Sequence, residues 1–403
     1  MNSSKWREAR LGDIIEIEMG QSPKSEFYNS ERLGLPFLQG NRTFGYKYPF
    51  FDTYCTQNKK IARKNDVIMS VRAPVGDLNI ATTEISLGRG VCAMRLKKSD
   101  DNEYLFYLMK HNIQEMINQE SGTVFGSVNK KDILGLKVMI TENRREQQEI
   151  AHILSTLDEK IEVNNKINKT LEEMAQAIFK RWFVDFEFPN DDGEPYKSSG
   201  GEMVDSELGP IPKGWEVGTL TEISEITMGQ SPSGSSYNED GIGTVFYQGR
   251  TDFGRRFPTS RLYTTEPRRM ALAGDILLSV RAPVGDINIA VEECCIGRGL
   301  CAIRPNQGVE SFVYYQLLSL KSIFDIYNGE GTVFGSINKN DLKDIKVILP
   351  AEDILSKFDN LVSMFDQEYK VLDKESRNLI SIRDSLLPKL MSGEIRVPID
   401  NEQ

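Results

Sequence analysis

The chain repeats itself once, and that repeat fixes most of what it can fold into. Met-Gly-Gln-Ser-Pro at 19–23 returns at 228–232, and DVIMSVRAPVGDLNIA at 66–81 returns as DILLSVRAPVGDINIA at 275–290. GRGVCAMR at 88–95 returns as GRGLCAIR at 297–304, and GTVFGSVNKKDI at 122–133 as GTVFGSINKNDL at 331–342. The offset is 209 throughout, and Trp6 and Leu11 fall on Trp215 and Leu220. A constant offset of this length means a duplicated domain without net insertion, not a short-period solenoid. The two copies must share a fold, and 403 residues suffice for both.

Within each copy, Gly and Pro punctuate short β-type runs at 67–72, 79–82, 91–96 and 136–140. One helix is predicted at 103–117, where Leu105, Leu108, Met109, Met116 and Ile117 recur at helical spacing, with a counterpart at 312–327. The predicted class is therefore α/β in the mixed α+β sense.

Each copy is followed by a different kind of sequence. One heptad frame places Ile150, Leu154, Leu157, Ile161, Asn164, Asn168, Leu171, Ala175, Ile178 and Trp182 on one face. The second frame places Phe358, Val362, Phe365, Tyr369, Leu372, Ser376, Leu379, Arg383, Leu386 and Leu390, now at an offset of 208. A mostly apolar 3.5-residue repeat with no proline before Pro388 predicts two long helices paired as a coiled coil. Run antiparallel, they would separate the two domains about an approximate two-fold. The plainer alternative is an amphipathic helix lying on its own domain. Leu154, Leu157, Ile161, Leu171 and Ile178 are predicted to pair with Val362, Phe365, Tyr369, Leu379 and Leu386. Polar Asn164, Asn168, Ser376 and Arg383 would weaken the seam and fix its register. The expected organisation is a first domain at 1–142, a helix at 143–186, an acidic linker at 187–213, a second domain at 214–350, a helix at 351–390 and a tail at 391–403.

A net charge of −10 argues at first against a polyanionic partner. Its distribution reverses the inference. Residues 184–210 hold eight acidic side chains against Lys197, whereas 38–72 carry a net +5 and 248–281 a net +4. Five cysteines without C-x-x-C support neither a disulfide framework nor zinc, and Cys92 and Cys301 read as small buried apolar residues. With only His111 and His152, histidine chemistry has little to work with. No G-x-x-x-x-G-K-[ST] is present, and Gly88-Arg-Gly90 is at most a fragment of a dinucleotide loop. Asp191, Asp192 and Glu194 suggest a Mg²⁺ site only weakly, since a Gly/Pro segment would hold ligands poorly. No apolar run spans a bilayer and 1–10 lacks a secretion signal, so a cytoplasmic protein with no membrane partner is expected.

The whole pattern resembles the specificity subunits of type I restriction-modification systems. The residues carrying it are the two Gly-Gln-Ser-Pro segments, the two Ser-Val-Arg-Ala-Pro-Val-Gly-Asp segments, the paired helices and the bridge from Phe-Val-Asp-Phe at 183–186 to Gly-Pro-Ile-Pro-Lys-Gly-Trp at 209–215. The resemblance covers nearly the whole chain, and the duplicated order is more specific than any single motif. It implies a non-catalytic subunit with two target-recognition domains, each reading one half of a split sequence in double-stranded DNA. The helices would act as a ruler and dock two methyltransferase subunits, with restriction or motor subunits as optional further partners. S-adenosylmethionine, Mg²⁺ and ATP would belong to those partners, leaving this chain with no cofactor or metal of its own.

Candidate DNA contacts follow from side-chain chemistry. Gln39 in Gln-Gly-Asn-Arg and Gln248 in Gln-Gly-Arg-Thr suit adenine, and the change from Asn41 to Arg250 is where half-site preferences would diverge. A polar turn is the competing reading. Gln21, Gln230 and Arg42 join this group. Lys59, Lys60, Arg63, Lys64, Arg268 and Arg269 suit the phosphate backbone, or are simply a solvated face; Arg255 and Arg256 are further candidate DNA contacts. Arg72 and Arg281 would contact phosphate or pair internally with Asp77 and Asp286. Lys130 and Lys339 follow glycine-rich loops that either approach a phosphate or merely join helix to strand. Tyr46, Tyr48, Phe50 and Phe51 around Lys47 suit stacking on an extruded base or core packing, with core expected for at least two. A self-contained nuclease or methyltransferase with an unfamiliar site is the competing function. Activity of the purified chain alone discriminates the two.

Overall fold

The computed structural model describes residues 6–98, 102–119, 126–328 and 335–398, and the chain divides into two units. One comprises Met1–Ile167 with Val371–Gln403, the other Asn168–Lys370. Both are built to the same plan.

In the first unit, a four-stranded antiparallel sheet runs in the order Ile15–Met19, Val91–Leu96, Val67–Ser70, Leu78–Ile80. A five-stranded sheet runs in the order Tyr28–Asn29, Tyr54–Cys55, Leu35–Leu38, Ile85–Leu87, Ile61–Ala62, with Leu35–Leu38 and Ile85–Leu87 parallel. Trp6–Arg10 pairs with Lys137–Thr141, far away in sequence. Helix Asn102–Gln119 covers the four-stranded sheet through Leu105, Leu108 and Met109, all fully buried with Val67, Met69 and Cys92.

The second unit repeats this order with Ser224–Met228, Leu300–Pro305, Ile276–Ser279 and Ile287–Ile289 in one sheet. The other sheet holds Tyr237–Asn238, Tyr263–Thr264, Thr244–Tyr247, Cys294–Ile296 and Met270–Ala271. Register is preserved as well: Phe37↔Ser86 in one copy is Phe246↔Cys295 in the other. The duplication read from the sequence is thus a duplication of topology.

Some element limits differ from those expected. The strand at 67–72 ends at Ser70, because its hydroxyl donates to the Pro74 carbonyl and accepts from the Asp77 amide, turning the chain away. The second-copy helix is split into Glu310–Ser319 and Lys321–Ile326. There the Ser319 hydroxyl donates to the Gln316 carbonyl, competing with the backbone ladder where Leu320 turns. The acidic segment 187–213 folds against the second unit: Phe188 stacks on Tyr196 and Trp215 at 4.6 and 4.9 Å, and Ile211 is buried.

The two long helices are Arg144–Phe179, continued by a π-helical turn Lys180–Val184, and Glu352–Ser392. Each contributes to both units. In the first unit the Asn164 amide donates to Glu375 and Ser376, while Asp158 meets Arg383, so rising numbers on one helix meet falling numbers on the other. In the second unit Phe358 packs against Phe179 and Trp182 at 5.9 Å and Phe183 at 4.9 Å. Within each unit the pairing is antiparallel.

Candidate nucleic-acid interface

Three loops that are far apart in sequence meet at one rim of each copy. In the first, the Gly20 and Gln21 amides donate to the Val91 and Leu87 carbonyls, and the Arg89 amide donates to Ser22 Oγ. Gly88 and Gly90 donate to the Leu38 and Gln39 carbonyls, and Val71 donates to Gly90. The second copy repeats this with Gly229 on Leu300, Gln230 on Ile296, Arg298 on Ser231 Oγ, Gly297 on Tyr247 and Val280 on Gly299. Glycine is required here by close approach. A Cβ on Gly20 would lie 2.0 Å from the Gly88 carbonyl oxygen, and one on Gly229 2.2 Å from that of Gly297. The backbone beneath Gln21, Gln39 and Arg89, and beneath Gln230, Gln248 and Arg298, is therefore held rigidly, and all six side chains are exposed.

The structure places the other candidates around this junction with different degrees of freedom. Asn41 donates to Asp77, and its counterpart Arg250 pairs with Asp286. The duplicated Val-Gly-Asp turn thus holds the residue that differs between the copies. Arg42 binds Asp52 through two bonds of 2.7 and 2.9 Å, and Lys60 pairs with Glu18. Lys59, Arg63, Arg268 and Arg269 are exposed with side chains that meet no carboxylate among the described residues, and Arg255 is exposed. Lys130 is exposed with its Nζ 3.4 Å from the Ile17 carbonyl, and Lys339 is exposed. The Gly-Thr-Val-Phe segments at 122–125 and 331–334 lie outside the described residues.

Two of the sequence readings need correction. Arg256 is 2% exposed and cannot face DNA: its guanidinium stacks over Tyr314 and Tyr369, 4.3 and 4.9 Å from the ring centroids, and pairs with Asp366 at 2.6 Å. Burial opposes its charge, but Tyr314, Asp366 and Tyr315 outweigh that and raise its pKa. Lys47, at the equivalent position, is likewise buried and pairs with Glu103 at 2.8 Å. Arg72 and Arg281 do not pair with Asp77 and Asp286, whose carboxylates are taken by Asn41 and Arg250. Of the aromatics around Lys47, Tyr46 donates to Asp158, Tyr48 and Phe51 pack against buried clusters, and Phe50 is exposed.

On the helices, Leu154, Ile161, Val362 and Tyr369 are buried, while Leu157, Leu171, Ile178, Phe365, Leu379 and Leu386 are half-buried. Asp158 anchors the first domain to them by accepting from Tyr46, Tyr107 and Arg383. Burial disfavours its charge, yet Lys110, Arg383 and Tyr107 hold the carboxyl below the ordinary range. Asp366 plays the matching part in the second unit, accepting from Tyr315, Ser311 and Arg256.

Arg89 and Arg298 were missed as candidates because Gly-Arg-Gly read alone suggests only a nucleotide loop. Its exact return after 209 residues was the available signal.

Two rims of exposed Gln and Arg on duplicated α+β domains give the chain the side-chain chemistry that suits a nucleic-acid recognition surface, built twice. The family model for the type I restriction modification DNA specificity domain matches residues 3–173 and 212–373. The putative type I restriction enzyme MjaX specificity subunit of Methanocaldococcus jannaschii is 36% identical over 424 residues, covering 97% of this chain and 94% of that protein. The HindI specificity subunit of Haemophilus influenzae is 25% identical over 97% of this chain and all of its own length. The crystal structure of the type I restriction-modification S subunit from M. genitalium has the same fold, with a TM-score of 0.63 at 18% identity over 97% of both chains. The chain belongs to the type I restriction-modification specificity subunits: it supplies DNA recognition within such a complex and is not its enzyme. No helix among the described residues is long and apolar enough to cross a membrane.

Proposed function

We propose that each copy reads one half of a two-part DNA target, the half-sites being distinguished by the stretch where the copies diverge, 24–64 against 233–273. The observation that carries this is the three-loop rim built twice on the same hydrogen bonds, with Asn41 and Arg250 clamped at equivalent places. Arg suits guanine and Gln or Asn suits adenine, so the rim has the chemistry for reading base edges. The paired helices dock two methyltransferase subunits and set the gap between half-sites. Those partners bring S-adenosylmethionine, and restriction subunits, where present, bring ATP and Mg²⁺ chemistry. The complex works in the cytoplasm, where its DNA is.

Mapping methylated bases in cells that express the chain with its methyltransferase partners tests the reading. A motif of two specified parts around a fixed unspecified gap is expected, with no methylation by the purified chain alone. A single continuous motif would overturn the division of labour. Methylation without partners would instead make the chain an enzyme in its own right.

A further inference from the structure

Several cations in each copy are already neutralised by carboxylates. Arg95 pairs with Asp66, Arg42 with Asp52, Arg304 with Asp275 and Arg250 with Asp286. Arg72, Arg89, Arg281 and Arg298, like Lys59, Arg63, Arg268 and Arg269, are exposed with side chains that meet no carboxylate among the described residues. The first four, all arginines, also recur at equivalent positions of both copies.

The fold brings these four together in two equivalent pairs. The last paired residues of strands Val67–Ser70 and Val91–Leu96 are Ser70 and Val91, and the bond from the Val71 amide to the Gly90 carbonyl, 2.9 Å, continues that ladder by one step. One residue further on each side stand Arg72 and Arg89. In the second copy Ser279 pairs with Leu300, Val280 donates to Gly299 at 2.9 Å, and the next residues are Arg281 and Arg298. Neither backbone is free to drift. Arg72 and Arg281 bridge to Ser127 and Ser336, while Arg89 and Arg298 are fixed through their amides to Ser22 and Ser231. Like charges brought together at the end of a ladder are unfavourable unless an anion answers both.

We propose that Arg72 with Arg89, and Arg281 with Arg298, are two matched phosphate clamps that grip the DNA backbone at the same place relative to each half-site. Identical pairs in both copies cannot tell one half-site from another, so their target is the part of DNA that does not vary. The guanidinium fork fits phosphate oxygens, and phosphate contacts fix register while base contacts specify. Asn41 and Arg250, which differ, lie beside the clamps and do the discriminating. The assignment rests on the half-site reading above.

The test uses the full chain assembled with its methyltransferase subunits. Binding to a duplex carrying the mapped target and to an unrelated duplex is followed by fluorescence anisotropy across a series of salt concentrations. For Arg89→Ala with Arg298→Ala, affinity should fall together on both duplexes. The slope of log K against log salt should shallow by about 0.9 for each phosphate that is no longer neutralised. Arg72→Ala with Arg281→Ala should behave alike, and the Arg89→Lys, Arg298→Lys variant should keep the wild-type slope because it keeps the charge. The methylated motif should not change. An unaltered slope in the alanine variants overturns the clamps, as does weakening confined to the target duplex, which would make these arginines base readers. Dissociation of methyltransferase subunits from the complex with the slope unchanged would assign the pairs to a protein interface instead. A continuous methylated motif together with a shallower slope would leave the clamps standing and remove only the half-site reading.

Discussion

Asp359 shows how a single buried carboxyl leaves a mark on the whole chain's stability. It is 8% exposed, and burial, with Glu310 and Asp366 nearby, pushes its pKa up to about 6 from the ordinary 3.8, although the Phe312 amide donates to it. A folded-state value above the unfolded one means that the native protein holds the proton more tightly. The site therefore costs nothing below about pH 4, and stability is lost as pH rises towards 6. The full cost, reached above that range, is of the order of 2–3 kcal/mol. Asp359→Asn keeps an acceptor for Phe312 and removes the charge. Urea unfolding from pH 4 to 8 should show the variant matching the native chain at pH 4 and exceeding it by up to about that amount at pH 8. Parallel curves would mean that Asp359 titrates normally. At this scale the sequence was only partly legible. Gln39, Gln248 and Arg250 are exposed, as polar residues in turns would be on any reading, but Arg255 and Arg256 are adjacent and identical in type, and only packing separates the exposed one from the one stacked on Tyr314 and Tyr369. Nothing in an Arg-Arg pair announces that difference.

Among the elements, the long helices were the most legible, because a 3.5-residue period survives any local irregularity. The break at Leu320 and the early end at Ser70 were not. Both depend on a serine hydroxyl finding a carbonyl, which leaves no periodic trace. The helix pair also makes a stability prediction. Asn164 is buried at an inner position, with its Nδ2 donating to Glu375 and Ser376 and its Oδ1 without a partner among the described residues. Glu375 has Lys160 as a second partner, and the Ser376 hydroxyl already donates to Leu372. Asn164→Leu removes an unmatched acceptor and adds apolar burial, so a gain of about 1 kcal/mol and a higher Tm are expected. A lower Tm by calorimetry would show that the amide is worth more as a register pin than leucine is as packing.

At the scale of the whole chain, the division into units passes through both long helices, at Ile167/Asn168 and Lys370/Val371. Sequence boundaries drawn at the ends of the heptads follow composition, whereas the units follow packing. Each helix is shared because its inner face continues past the domain it begins on. Gly, Pro and carboxylates dominate the acidic segment 187–213, the composition of a linker. Phe188 and Ile211, with Tyr196, Met203 and Val204 beside them and Trp215 at its end, pack it into the second unit's core. The duplication itself was fully legible, since two copies in register at 209 admit no other explanation than one fold used twice. The claim resting on that duplication is that recognition is modular, one half-site per copy. Its most direct test is to replace residues 24–64 with 233–273 in the full chain, express it with its methyltransferase partners and map the methylated motif. One half of the motif should change while the other half keeps its bases; a change in both halves, or in neither, would contradict the account.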